Sequence, residues 1–122
     1  MLLDTFAWIE VVRGTPKGQK VNELLRSHSC YTSAISLAEL SAWIEKERVA
    51  RIPAINAVKT SSTILDMDHE LLEKAGILKI QKRKQFSDFG LTDAIILATA
   101  KKYSFAVVTG DKHFQGENTV FL

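Results

Sequence analysis

The sequence predicts an α/β fold: a mostly parallel central sheet of four to five strands, covered by helices on both faces in three layers. Two observations carry this. Short apolar runs alternate with helix-like stretches along the 122 residues, as they do where parallel strands are joined by helical crossovers. Four acidic residues, Asp4, Glu39, Asp93 and Asp111, adjoin apolar stretches where these segments change over. Sites in such sheets lie beyond the carboxyl ends of the strands.

The elements follow in order. Leu2 to Asp4 reads as a short strand. Thr5 to Arg13 reads as a helix, with Phe6, Ile9 and Arg13 at helical spacing. Thr15-Pro16 is an N-cap followed by proline at the first helical position, opening a helix to Ser27 that buries Val21, Leu24 and Leu25. Cys30 to Ser33 is the second strand. Ile35 to Arg48 is a helix with Leu37, Leu40 and Ile44 on one face. Pro53 opens a further helix through Val58, and Thr63 to Leu65 is the third strand. Asp68 caps a long helix to Lys84, with Leu71, Leu72, Ala75 and Leu78 facing inward. Gln85 to Gly90 is a loop. Leu91 to Tyr103 is apolar on most sides and so belongs at the centre. Phe105 to Val108 is the fourth strand and Thr119 to Phe121 a short fifth.

At 13.6 kDa the chain is expected to form one domain over residues 1–122. Its 46% apolar and 25% charged content is that of a globular protein with a core that needs no disulfide or structural metal. The lone Cys30 has no intramolecular partner, which points to a reducing compartment. Met1-Leu2-Leu3-Asp4 lacks a signal-peptide layout and no apolar run is long enough to span a bilayer. A cytoplasmic, non-membrane protein is expected. The net charge of +2 identifies no partner. Its distribution is more telling. Lys79, Lys82, Arg83 and Lys84 precede the third acidic stretch, and Lys101 and Lys102 end the helix after it. Both groups suit helix C-termini; they also suit a phosphate-steering rim around an acidic centre.

Each acid has a structural role open to it. Ser36-Leu37-Ala38-Glu39 fits a capping box. Asp93 complements the positive end of its helix. Asp4 and Asp111 are placed to cap the segments that follow them. One metal site explains all four at once, because crowded carboxylates repel and oxygen ligands suit Mg²⁺ and Mn²⁺. The histidines His28, His69 and His113 lack zinc-site spacing; for His113, two residues from Asp111, a place near the site is open, but an exposed helical position is the favoured expectation. Cys30 lacks the partners of a thiol nucleophile. No phosphate-loop or dinucleotide motif occurs. Trp8, Trp43 and Phe6 lie on apolar helix faces, suited to core or dimer contacts.

The chain resembles the PIN domain family, and especially its small single-domain VapC-type toxins. Leu2-Leu3-Asp4-Thr5 resembles the first motif and Thr32-Ser33 through Ala38-Glu39-Leu40 the second. Thr92-Asp93-Ala94-Ile95-Ile96-Leu97-Ala98-Thr99-Ala100 is similar to the third, and Val108-Thr109-Gly110-Asp111 with Phe114 to the fourth. The resemblance implies a PIN-like fold and a Mg²⁺- or Mn²⁺-dependent endoribonuclease leaving a 5′-phosphate and a 3′-hydroxyl. It implies Asp4, Glu39, Asp93 and Asp111 as metal-binding and catalytic acids, with Thr109 supporting them. It also implies an RNA substrate, a VapB-type antitoxin partner and a homodimer. The basic group Lys79, Lys82, Arg83 and Lys84 is the candidate RNA contact. Three features depart from the pattern: the first strand is short, Gly110 stands where many relatives have a polar residue, and Asp88 has no counterpart. The alternatives are a non-catalytic PIN-like RNA- or protein-binding module and a receiver-like phosphoacceptor using Asp66. An Asp-nucleophile phosphatase would want a second Asp where Phe6 stands.

Overall fold

The computed structural model describes residues 1–122. The chain runs β1 (Leu2–Leu3), α1 (Thr5–Arg13), α2 (Pro16–Ser27), β2 (Tyr31–Ser33), α3 (Ala34–Glu47), α4 (Arg51–Ser61), β3 (Thr63–Leu65), α5 (His69–Lys82), α6 (Leu91–Tyr103), β4 (Val107–Thr109), a 3-10 turn (Lys112–Phe114) and β5 (Thr119–Phe121). Five strands form one sheet in the order β3-β2-β1-β4-β5, and every neighbouring pair is parallel. Leu2 is in register with Tyr31 on one side and Val107 on the other; Leu3 aligns with Thr32 and Val108.

Alternation along these short strands sorts the core into two halves. Leu2 and Val107 pack with Leu71, Ala75 and the buried run of α6. Leu3 and Val108 pack with Ala7, Trp8, Val21, Leu40, Ile44 and Val58 from α1 to α4. Helices α5 and α6 therefore cover one face and α1 to α4 the other, giving the three layers the sequence predicts. Residues Ala94 to Ala100 of α6 are all buried, so this helix is central, as its composition requires. No helix is long and apolar enough to cross a membrane.

Local signals work as read at two helix starts. Thr15 accepts a hydrogen bond from the Gly18 amide at 3.1 Å, and Asp68 accepts one from the Leu71 amide at 2.8 Å. Other expectations need correction. Helix α4 begins at Arg51, so Pro53 lies inside its first turn, where the missing N–H has no intrahelical partner to lose. Strand β4 is shifted to Val107–Thr109: the Phe105 amide donates to the Ala100 carbonyl at the end of α6 at 2.9 Å and so is not free for the sheet, while its ring stacks on Tyr31 at 4.5 Å between centroids. Leu72 is 39% exposed rather than inward-facing: α5 buries the narrow stripe of Leu71 and Ala75, and Leu72 lies about 100° away from Leu71 around the helix. Trp8 is fully buried, its indole N–H donating to Thr32 Oγ1 at 3.0 Å, so it offers no dimer surface. The exposed large apolar side chains are elsewhere, including Ile77 and Ile80 on α5 and Ile52 on α4.

Candidate active site

Strands β2 and β3 lie on one side of β1, and β4 and β5 on the other. The strand order thus reverses beside β1, and the crevice outside its carboxyl end is the place such a sheet offers for a site. Asp4 leaves β1 there and Asp111 follows β4.

Asp4 is the deepest of the acids, 4% exposed. It does cap α1, Oδ1 accepting from the Ala7 amide at 2.9 Å. Its other oxygen accepts from the Thr109 hydroxyl, and Thr109 Oγ1 in turn accepts from the Asp111 amide at 2.9 Å. Thr109 thereby ties the first acid to the backbone of the fourth. Burial pushes the Asp4 pKa up; the bonds from Thr109 and Ala7 oppose it, and the charges of Asp111 and Asp93 add to it, leaving it at about 7.

Glu39 does not form the capping box with Ser36. Helix α3 starts at Ala34, which carries Glu39 past the first turn, and the Ser36 hydroxyl is buried without a partner. Glu39 instead accepts from Thr5 Oγ1 at 2.6 Å, across to α1. Burial raises its pKa against that hydrogen bond, with Asp93 and Asp111 adding to the rise.

Asp93 bonds back to the start of α6, Oδ2 accepting from the Gly90 amide at 3.1 Å. Burial raises its pKa; the Gly90 bond opposes, and Asp111 adds to the rise. Asp111 caps the 3-10 turn, accepting from the His113 amide at 2.9 Å. The structural roles considered for Asp4, Asp93 and Asp111 are therefore real, and they leave these acids near enough to raise the pKa values within the group, that of Glu39 included.

Sequence reasoning left His113 and Asp88 out of the acidic cluster, and the structure places both against it. The expected exposed position for His113 is wrong: its side chain is 12% exposed, edge-on to Phe86 and Phe89 at centroid distances of 5.6 and 5.8 Å. Nε2 lies 2.9 Å from Asp88 Oδ1. Nδ1 lies 3.0 Å from Asp111 Oδ1 and 3.4 Å from Asp93 Oδ2, without the alignment of a hydrogen bond. Burial pulls its pKa down, but Asp88, Asp111 and Asp93 outweigh burial and the net shift is upward. The spacing Asp111-Lys112-His113 was the available signal; the aromatic walls on the preceding loop were not visible in it. Asp93, Asp111 and His113 bring their ligand atoms within 4.8 Å of one another. Asp4 and Glu39 stand outside that triad but within its electrostatic reach.

Of the basic group, two members have other occupations. Lys82 Nζ is 3.0 Å from Glu117 Oε1, whose second oxygen is 3.3 Å from Lys101. Arg83 Nε donates to the Phe89 carbonyl at 3.0 Å, pinning the loop that carries Asp88 and Phe89. Lys84 is exposed and Lys79 half-buried. A groove of about 590 Å³ between α5 and α6 is lined by Asp68, Ile77, Leu78 and Lys102. It lies toward the end of α6 remote from Asp93.

Gly110 has a steric reason. A Cβ there would sit 2.3 Å from Phe6 Cε1, so the Phe6 ring occupies the space a side chain would need. Gly110→Ser is expected to destabilise by about 1–3 kcal/mol through overpacking. Phe6→Ala in the same chain should recover part of that loss, read as a coupling energy in a urea-unfolding double-mutant cycle. Additive effects would contradict this packing account.

A family model described as the PIN domain matches residues 1–116. No curated protein matches the chain. Among solved structures, VapBC2 from Rickettsia felis, bound to a DNA fragment from its promoter, superposes with a TM-score of 0.77 at 17% identity, covering 99% of this chain and 97% of that one. VapC20 from Mycobacterium tuberculosis, a Sarcin-Ricin loop cleaving toxin, gives 0.72 at 18% identity over 87% and 85%. FitAcB from Neisseria gonorrhoeae gives 0.70 at 25% identity over 99% and 96%.

Proposed function

The chain belongs to the PIN domain family, and from that premise we propose that it is a divalent-metal-dependent endoribonuclease. In this reading residues 1–122 act as a single nuclease domain, the toxin of a VapBC-type pair. The observation that carries the reading is the convergence of Asp4, Glu39, Asp93 and Asp111 on one crevice, where burial and mutual repulsion raise the pKa of three of the four from their ordinary values. Such a cluster is stabilised by a cation between its members. The donor set fits Mg²⁺ or Mn²⁺: carboxylate oxygens of Asp93 and Asp111 with the buried, unpartnered His113 Nδ1 beside them, and the carboxylates of Asp4 and Glu39 within their electrostatic reach.

When bound, the ion supplies a Lewis acid for the scissile phosphate and eases deprotonation of the attacking water. The chain's own residues do the rest. Asp93 and Asp111 hold the exposed side of the cluster. Asp4, fixed by Thr109 and Ala7, is buried and so oriented that it cannot swing away. Glu39, anchored by Thr5, closes the side toward α1. The chemistry needs no side-chain nucleophile and suits attack by water; products with a 5′-phosphate and a 3′-hydroxyl are what the family likeness implies.

RNA as substrate, a VapB-type antitoxin as partner, a homodimer and a cytoplasmic location belong to the same proposal. The solved toxin–antitoxin complexes of this fold support the antitoxin. The receiver-like alternative is disfavoured by strand order: receivers follow 2-1-3-4-5, whereas this sheet is β3-β2-β1-β4-β5. Asp66 also follows the edge strand β3. Retention of all four acids speaks against a non-catalytic module. The deciding experiment is cleavage of single-stranded and structured RNA by purified chain, free of antitoxin, in Mn²⁺ and in EDTA, alongside growth arrest on expression. Cleavage that persists in EDTA would sink the metal-dependent reading.

The basic group divides in this reading. Lys84→Ala is expected to weaken RNA binding and to reduce the slope of log K against log salt by roughly 0.7, the loss of one phosphate contact on a single strand. Lys82→Ala is expected to leave that slope near its original value, since Glu117 holds Lys82. Equal changes in both variants, measured by fluorescence anisotropy across a salt series, would show that Lys82 contacts RNA as well.

A further inference from the structure

We propose that His113 is itself a ligand of the divalent cation, through Nδ1, and that this nitrogen biases the centre toward Mn²⁺ over Mg²⁺. The inference rests on the metal-centre reading above and goes beyond its four acids.

The geometry is that of a histidine prepared for coordination. A metal-binding imidazole presents one ring nitrogen to the ion and donates the other N–H to an anchor, often a carboxylate. Here Nε2 is engaged by Asp88 Oδ1 at 2.9 Å, which sets the tautomer with the proton on Nε2 when the ring is neutral. Nδ1 is then a lone pair. It is buried, has no aligned hydrogen-bond partner, and faces Asp111 Oδ1 at 3.0 Å and Asp93 Oδ2 at 3.4 Å. A lone pair this close to two carboxylates is unfavourable unless a positive group joins them, either a proton on the ring or a metal ion.

The ring has little freedom to do otherwise. Phe86 and Phe89 meet it edge-on, and the loop bearing Phe89 is tied down through its carbonyl by Arg83. The three candidate ligand atoms come from α6, from Asp111 two residues past β4 and from the 3-10 turn, all within 4.8 Å of one another. Neighbouring ligands around a small octahedral ion stand roughly 3 Å apart, given metal–ligand bonds near 2.1 Å. The two Nδ1 distances are close to that. Mg²⁺ prefers an oxygen shell and gives up water reluctantly, whereas first-row transition ions accept imidazole readily. A nitrogen in the set therefore favours Mn²⁺.

The test reads the metal and not the reaction. Full-length protein carrying one equivalent of Mn²⁺ is examined by electron spin echo envelope modulation, in which a coordinated imidazole nitrogen modulates the echo. Wild type is expected to show nitrogen modulation, His113→Ala to lose it, and His69→Ala, altered at an exposed histidine, to keep it. By calorimetry, His113→Asp should lower the ratio of Mn²⁺ to Mg²⁺ affinity by about tenfold, and Asp88→Ala should weaken Mn²⁺ binding about tenfold as its anchor is lost. Wild-type protein that binds Mn²⁺ without nitrogen modulation would overturn this proposal and leave the carboxylate centre standing, as would modulation surviving in His113→Ala. Protein that binds no Mn²⁺ at all overturns both readings.

Discussion

Asp93→Asn is expected to abolish RNA cleavage, lowering the single-turnover rate at least about 100-fold, while RNA affinity stays within about threefold. The physical reason is the separation of two roles. Asparagine keeps a side-chain oxygen to accept from the Gly90 amide, now at 3.1 Å from Asp93, so the start of α6 is preserved. What it loses is a charge beside Asp111 and His113, and with it, in the proposed centre, a full ligand for a cation that would act chiefly on the transition state. Cleavage is followed on labelled RNA in Mn²⁺, binding in Ca²⁺ or EDTA. Equal cleavage by wild type and Asp93→Asn would mean that the activity comes from a contaminant or from another part of the surface. Growth arrest on expression that disappears in Asp93→Asn extends the same test to narrowly specific targets.

The second large effect is on stability. Without metal, the protein is expected to lose stability as pH rises from about 4 to about 7. Asp4 holds its proton in the folded state up to about 7, against an ordinary value of 3.8, so the folded state binds more protons than the unfolded one in this window. Its contribution is fully present below pH 3.8 and is lost as pH rises through about 7, on the order of 4 kcal/mol for a shift of this size. Glu39, Asp93 and His113 are shifted upward as well and act with the same sign. Asp88 and Glu117 are lowered; their contributions are lost only as pH falls below the ordinary carboxylate range. Mn²⁺ at 100 times its dissociation constant should restore about 2.7 kcal/mol at pH 8. Asp4→Asn should flatten the pH dependence and raise the metal-free melting temperature at pH 8, with Oδ1 still able to cap Ala7. Melting curves in EDTA and in Mn²⁺ at pH 5 and pH 8 check this. A metal-free wild type more stable at pH 8 than at pH 5 would contradict it.

Much of the fold was legible because each level of the chain agrees with the next. Pro16 after Thr15, and Asp68 before the α5 stripe, mark helix starts with chemistry that the folded chain uses directly. The apolar run of α6 is hydrophobic on every side because it is enclosed. Strand edges were less legible. Pairing partners rather than local sequence decide where β4 begins, and the Phe105 amide is taken by the Ala100 carbonyl at the end of α6. The acids were legible through their positions at segment junctions, yet their partners were not. Glu39 matched a local capping pattern while its real partner, Thr5, is 34 residues away. His113 was misread for the same reason. Its burial depends on Phe86 and Phe89, and its orientation on Asp88, 25 residues earlier. Local periodicity carries no information about contacts of that span.

The bond from Thr109 to Asp4 joins residues 105 positions apart, and β1 gains its β4 neighbour only through that same late segment. Contacts of such separation form late, after the intervening chain has been closed into a loop. On a ribosome the N-terminal layer of α1 to α4 is made first, and Asp4 waits there with half of its crevice missing. A nascent chain that stops before Thr109 lacks the hydroxyl that positions Asp4, the whole of Asp111 and the imidazole of His113. In the proposed reading the order of synthesis is thus a safety interval: the crevice that would cleave RNA stays incomplete until the segment from Thr109 to His113 has been made.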